Sequence, residues 1–521
     1  MVDLPAEIWS HILLAFVPEK DLCRLYPVNR VFYELSLNAR HKILKVYLRL
    51  DQPLLSLSKT IRLRDHGVLL RVRELELLDN VQTYSLSRKS GYRHQYLWTK
   101  NELKRYAQCS ESKAKLLSTR KALRILSSFT SSIDPIWKEA CEEGHQHVQS
   151  LHTVRMLRIH LHHEGPGLDT TRLHLFRLVL ATSPVESIEI QAAYTAFVLL
   201  TSTFSKLPSI PSVSYLGLKM SQCWVQNPSG RLFSQFASSF PNLRKLNIYL
   251  DWDMDFGHVA SLPGYESLLA PFQQPGQFPD LSEFTLTAPY SQMTREVNRW
   301  DHLTRFLDEH SKTLRLLCLL TFEPYFGVLE ADGRTWAPEV LLADPWFART
   351  LPKLHLKRLE NLQIFPPQTK EGFRGFQAFL RSSASTLRSL RIFGCGLHCQ
   401  HWKETCGAVL APEDVACLLG AFSNRDGVVS LESLDLPVEC LDIKLLDDVV
   451  GLCPSVQELS IQWCRKAAAG RGASEIPFED LHNRTYDHWR RVSFTLLGSG
   501  QDVWQVIERA ISNAERVDTP T

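Results

Sequence analysis

What this sequence has little of narrows it first. Twelve cysteines are spread through 521 residues, too few for a disulfide-scaffolded domain, so free thiols in a reducing compartment are expected. No apolar run approaches the ~20 residues that a membrane-crossing helix needs. The opening MVDLPAEIW carries Asp3 and Glu7 where a secretory leader would carry basic and then apolar residues, so no export is expected. Asn483-Arg484-Thr485 is then a chance sequon. Charge of one sign is lacking too. Lys and Arg number 59 against 56 Asp and Glu, a net of +3, which gives no general ground for binding nucleic acid or membrane. A cytoplasmic or nuclear location is the expectation.

The usual signatures of catalysis are also missing. There is no phosphate-binding G-x-x-x-x-G-K-[ST] loop and no G-x-S-x-G nucleophile turn. His160, His162, His163 and Glu164 stop short of H-E-x-x-H, because Gly167 stands where the second histidine would be. The densest set of metal-ligating residues is Cys395, His398, Cys399 and His401, with Cys406 behind. A structural zinc site normally joins two short ligand pairs from separate places. Here everything falls on one local stretch, which reads as thiols packed around a turn. Gly470-Arg471-Gly472 beside Arg465 and Lys466 reads as a basic loop. No catalytic residue, metal or cofactor is expected.

Three short helices are expected at the start. Pro5 suits a first helical position, Leu4, Ile8 and Ile12 recur every fourth residue, and Trp9, Leu13 and Phe16 widen the stripe. Pro18 ends that helix. Residues 19–26 offer Leu22 and Leu25, and Pro27 ends the second. Asn29 can cap a third, whose apolar face is Val31, Phe32, Leu35 and Ala39. So few residues cannot bury all of this surface by themselves.

The order Leu4-Pro5-x-Glu7-Ile8, Ile12-Leu13, Asp21-Leu22, Leu25, Val28-Asn29-Arg30 and Phe32 resembles the F-box motif over residues 2–45. Tyr26-Pro27 before Val28 departs from it and shortens the second helix. The resemblance implies docking onto a Skp-type adaptor, and through it onto a cullin-RING ubiquitin ligase. It also implies that Leu4, Pro5, Ile8, Ile12, Leu13, Leu22, Leu25, Val28 and Phe32 form or support the adaptor surface. The other reading of these residues is a helical cap on the next domain.

The rest of the chain repeats. Apolar-x-x-apolar-x-apolar recurs eleven times, from Val72/Leu75/Leu77 through Leu243/Leu246/Ile248 and Leu387/Leu390/Ile392 to Val456/Leu459/Ile461. After a first gap of 82 residues, successive copies start 25 to 45 residues apart. The shortest spacings match the ~20–29-residue period of leucine-rich repeats, with most of the asparagines typical of that family missing. The 82-residue gap is expected to hide one or two further repeats. The chain thus resembles fungal-type F-box proteins with degenerate leucine-rich repeats. The expected fold class is α/β: an F-box-like unit over 1–48, a connector over 49–70, an irregular solenoid over 71–500, and a terminal helix and tail over 501–521. The solenoid would carry parallel strands on its concave face, helices outside, and an insert at 323–350. An unrelated α/β domain is the competing reading.

Side chains alternate along a strand, so each repeat donates three residues to one outward surface. Tyr215, Lys219, Lys245 and Tyr249 would make an aromatic-basic patch suited to an acidic or phosphorylated peptide. Leu320, Phe365 and Phe393 would make an apolar row beside Leu316, Cys318 and Arg391, unless Trp336, Trp346 and Phe347 of the insert fold over it. Residues 51–124 hold sixteen Lys or Arg against seven Asp or Glu, which reads as a solvated basic face. Together these features lead to the expectation of a non-catalytic substrate receptor of a ubiquitin ligase, holding an unidentified protein substrate. The alternative is a non-degradative interaction scaffold.

Overall fold

The computed structural model describes residues 8–9, 13, 16–18, 21, 30–48, 66–79, 151–161, 179–180, 183–193, 209–221, 238–250, 276–287, 298–320, 344–367, 369–393, 410–423, 430–438, 441, 443–464 and 489–497. Two compact units divide the chain, Met1–Glu186 and Ser187–Thr521.

In the first unit a small apolar core forms before any strand. Ile8, Trp9, Leu13, Phe16 and Asp21 are helical, and α1 runs Arg30–His41. Leu13 and Phe32 are buried, with Trp9, Val17, Leu35 and Ala39 packed against them. The Trp9 and Phe32 ring centroids lie 5.4 Å apart. Phe32, Leu35 and Ala39 share one side of α1 because they recur at helical spacing. Arg71 reaches back to this helix, its Nη1 donating to Asn38 Oδ1 at 2.5 Å and its Nη2 to Glu34 Oε2 at 2.6 Å. Of the three expected helices only α1 is described in full. Leu4, Pro5, Ile12, Leu22, Leu25 and Val28 lie outside the described residues.

Three strands follow: β1 (Ile43–Leu48), then the short helix α2 (His66–Leu69), β2 (Glu74–Asp79) and β3 (Met156–Leu161). β2 pairs in parallel with both of its neighbours. Leu75 stands opposite Leu157 and Leu77 opposite Ile159. The one or two further repeats expected in the 82-residue gap would fall on residues 80–150, which lie outside the described residues.

The second unit is a run of ten strands. They are β4 (Ser187–Ala193), β5 (Tyr215–Ser221), β6 (Lys245–Leu250), β7 (Glu283–Thr287), β8 (Leu316–Leu320), β9 (Asn361–Ile364), β10 (Ser389–Ile392), β11 (Ser433–Val438), β12 (Glu458–Cys464) and β13 (Arg491–Leu497). Each pairs in parallel with the next in sequence. Parallel neighbours need a crossover connection. Five such connections carry the described helices α3 (Asn298–Glu309), α4 (Asp344–Arg349), α5 (Lys370–Ser383), α6 (Pro412–Leu419) and α7 (Ile443–Leu452).

A recurring turn feeds the strands. Leu243 N–H donates to Phe240 O, Leu281 to Phe278 and Val456 to Cys453, at 3.0 to 3.3 Å. Backbone donors at the turn are satisfied in this way before the ladder begins. The motif residues then fill the core: Leu243, Leu246 and Ile248 are buried, and so are Leu387, Leu390 and Ile392. α5 shows how a helix covers them. Thr369 caps it, accepting from Gly372 N, and Phe373, Phe376, Phe379 and Leu380 are buried along one stripe. Gly375 lies where α4 crosses, and a Cβ there would collide with the Phe347 backbone. The expected terminal helix at 501–521 lies outside the described residues, among which no helix is long and apolar enough to cross a membrane.

Candidate functional site

Alternation leaves one side of every strand facing away from the core, and the two units use that side differently. On β2 the charged outward residues are Glu74 and Glu76, with Leu78 beyond them. Lys42 and Arg158 approach Glu74 at 3.2 and 2.5 Å, while Lys45 and His160 approach Glu76 at 2.9 and 3.5 Å. These two clusters tie β2 to residues at β1 and β3 on either side.

In the second unit the aromatic-basic group comes together as the alternation requires. Tyr215 stands opposite Lys245, and Lys219 opposite Tyr249, on adjacent strands. The Tyr215 ring lies over Gly217, its hydroxyl 2.9 Å from where a Cβ would stand. Lys219 Nζ sits 5.0 Å from the Tyr249 ring centroid, and Lys245 pairs with Glu283 at 2.7 Å. Both lysines are engaged by neighbours on the sheet itself.

The apolar row differs from expectation. Leu320 and Phe393 are half-buried at the ends of their strands, but Phe365 is only 3% exposed. β9 stops at Ile364 and Pro366-Pro367 follow. Proline has no N–H to continue a ladder, so the chain leaves the strand at Phe365. Its ring packs edge-on against Phe347, centroids 5.3 Å apart, and Phe347 in turn meets Phe376 of α5 at 5.8 Å. Phe365 therefore belongs to the core. Trp346, beside Phe347, is buried and donates from Nε1 to Thr304 Oγ1 at 2.9 Å. Trp336 and residues 321–343 lie outside the described residues.

A polar ladder runs across the outward side of this unit. Thr285, Cys318, Gln363, Arg391, Asp435 and Ser460 occupy the central outward place of β7 through β12, each opposite the next. Cys318 Sγ donates to Gln363 Oε1 at 3.4 Å. Burial pushes its thiol up to about 11, against smaller opposing effects from a Thr285 hydrogen bond and the Arg391 charge. Arg391 Nε meets Asp435 Oδ2 at 2.8 Å, and its guanidinium lies 4.7 Å from the Phe393 ring centroid. Gln462 Nε2 donates to Asp435 Oδ1 at 3.4 Å. Burial raises the Asp435 carboxyl above its ordinary range, with Arg391 and hydrogen bonds from Ser460 and Gln462 opposing it. The alternation rule found Arg391 as an outward residue but not its tie to Asp435. The readable signal was that both hold the central place of adjacent repeats.

Among the described residues no group of three or more His, Cys, Asp or Glu is placed to hold a metal. Cys395, His398, Cys399, His401 and Cys406 lie outside them, as do His162, His163, Glu164 and Gly470 to Gly472. The buried thiol of Cys453 is pushed up to about 12, so like Cys318 it stays protonated and a poor nucleophile. What this outward face offers chemically is hydrogen-bonding and apolar contact area.

No family model matches the chain, and no curated protein matches it. Among solved structures it is similar to a chain of the crystal structure of the Rad7 and Elc1 complex in yeast. Identity is 14% and the TM-score 0.26, with 77% of this chain and 96% of that one covered. A likeness at that level decides neither fold nor function.

Proposed function

We propose that this chain is a non-catalytic substrate-recognition subunit of a Skp-cullin-F-box type ubiquitin ligase. The N-terminal helical unit binds a Skp-type adaptor and through it a cullin-RING ligase, and the outward face of the strands binds the protein to be modified. The observation that carries this reading is Ile8. It belongs to the segment that resembles the F-box, and it is 47% exposed while Leu13 and Phe32 close a small core behind it. Phe16, on the same segment, is 79% exposed. Large apolar side chains held outside a core that has already formed are what a partner would cover. Leu13 and Phe32 act as support beneath that surface.

On this reading the mechanism is positioning. Holding a substrate and a ligase on one chain raises the effective concentration of a substrate lysine near the conjugating subunit, whose chemistry is its own. The place of action is the cytoplasm or nucleus, where free thiols such as Cys318 and Cys453 persist. The test is titration of the full chain with a purified Skp-type adaptor. Wild type should bind, and Ile8→Glu should weaken binding by about tenfold or more, the cost of burying an unpaired charge, with an unchanged melting temperature. Equal binding by both proteins would overturn the assignment of that surface.

A further inference from the structure

On β1 to β3 each outward carboxylate has a basic side chain on both sides. From β8 through β11 the described outward side chains carry no charge apart from Arg391 and Asp435. A face so poor in charge is cheap to desolvate. Arginine and aromatic residues within such a face are the side chains on which protein contacts most often turn.

The Arg391–Asp435 pair is lopsided. The Asp435 side chain is 14% exposed and that of Arg391 45%. Both Asp435 oxygens are taken, Oδ2 by Arg391 Nε and Oδ1 by Gln462, with Ser460 adding a hydrogen bond. The guanidinium is held at Nε and lies over the Phe393 ring, and with the side chain nearly half exposed it keeps donors open to solvent. The pair therefore faces solvent chiefly through the guanidinium. Neutral Cys318 adds no anion to compete.

We propose that Arg391 is the anchor for a carboxylate side chain of an extended acidic segment in the bound protein, with Phe393 and Leu320 receiving an apolar neighbour of that residue. The terminal nitrogens form a planar fork that a carboxylate meets edge-on through two charge-assisted hydrogen bonds. Because Asp435 and Phe393 already fix the guanidinium, little side-chain entropy is lost on contact. A carboxylate fits better than a phosphate. Asp435 already draws on the guanidinium's charge and repels any second anion, a monoanion less than a dianion, and there is no second cation among the described outward residues of β8 through β11. The inference rests on the reading that this face holds a protein partner.

The test is selection of a displayed library of random twelve-residue peptides on the full chain. Selected peptides are then titrated by fluorescence anisotropy against wild type, Arg391→Gln, Arg391→Lys and Phe393→Ala, each checked for an unchanged melt. The expected peptides share one Asp or Glu beside an apolar residue. Replacing that acid by its amide should cost about tenfold or more on wild type and nothing further on Arg391→Gln, as a shared contact requires. Arg391→Lys should recover only part of the loss, since it keeps the charge without the fork. Peptides without a common acid, peptides that bind Arg391→Gln as well as wild type, tighter binding with phosphoserine in place of the acid, or a selection that enriches nothing would each overturn the proposal. Dependence on Phe393 alone would remove Arg391 as the anchor and leave the face as a protein-binding surface. Peptides insensitive to every one of these variants would remove that reading as well.

Discussion

His310 fastens the end of α3 to the turn at Phe278. Its Nε2 lies 3.1 Å from Phe278 O and 2.8 Å from Gln277 O, while Nδ1 lies 2.7 Å from Phe306 O. Phe278 has a φ of 52°, a left-handed conformation that an aromatic residue adopts only when its surroundings enforce it. Phe278 itself is buried, and its carbonyl accepts from Leu281 N at the start of β7. One imidazole thus spans a helix end, a strained turn and the first residue of a repeat.

His310→Ala removes a buried side chain and takes the imidazole away from the Gln277 and Phe278 carbonyls, the latter keeping its bond from Leu281 N. The expected loss is about 2–4 kcal/mol, read as a shift in the urea midpoint at constant m-value. A loss below about 0.5 kcal/mol, the range of ordinary surface substitutions, would show that the turn holds itself.

Two glycines should respond in opposite directions. At Gly375 a Cβ would meet the backbone of Phe347 and Ala348, so Gly375→Ala is expected to cost about 1–3 kcal/mol or more through overpacking. At Gly451, near the end of α7, nothing lies within 4 Å, and Gly451→Ala is expected to stabilise by about 0.5–1 kcal/mol. Thermal melts of the two variants check both signs.

The Asp435 carboxyl is raised in the folded state, chiefly by burial. The folded chain therefore holds that proton more tightly than the unfolded one, and the group's contribution to stability falls as pH rises from the ordinary carboxylate range through the folded value. Below that range wild type and Asp435→Asn should be equally stable. As pH rises to neutrality, Asp435→Asn should become the more stable of the two. Melting temperatures of both proteins between pH 3 and 7, at fixed salt, would show the curves diverging in that sense. Divergence in the other sense would mean that the Arg391 pairing outweighs desolvation.

Phe365 and Phe393 should also part company. Phe365→Ala empties a core position against Phe347 and should cost about 3–5 kcal/mol. Phe393→Ala, at a half-buried ring under Arg391, should leave unfolding within about 1 kcal/mol of wild type while impairing partner capture. Denaturation curves beside a binding measurement separate the two roles.

The strands were the most legible part of this chain. Each of the eleven apolar-x-x-apolar-x-apolar copies falls on one of β2 to β12, because a strand with one buried side must repeat every second residue. β13 was missed although Trp489, Val492 and Phe494 obey the same spacing, since its first place holds tryptophan instead of an aliphatic residue. β1 was missed for a stronger reason: Leu44 and Val46 fill their places, but His41 stands where the leading apolar residue would be. Phe365 was misplaced because alternation was extended one residue past the end of β9, to the residue just before the two prolines. Long-range ties such as Arg391 with Asp435, or His310 with Phe278, depend on which elements come side by side, and no local pattern encodes that. At the amino terminus the spacing of Trp9, Leu13, Phe32, Leu35 and Ala39 was enough to mark the small core that the structure contains.

The most direct measurement is affinity capture of the full chain from cells, beside Ile8→Glu, with both captures read by quantitative mass spectrometry. The account predicts that a Skp-type adaptor and a cullin accompany the full chain and vanish together with Ile8→Glu, while other partners are retained on the outward face. Capture of the adaptor without a cullin, or of neither, would contradict it.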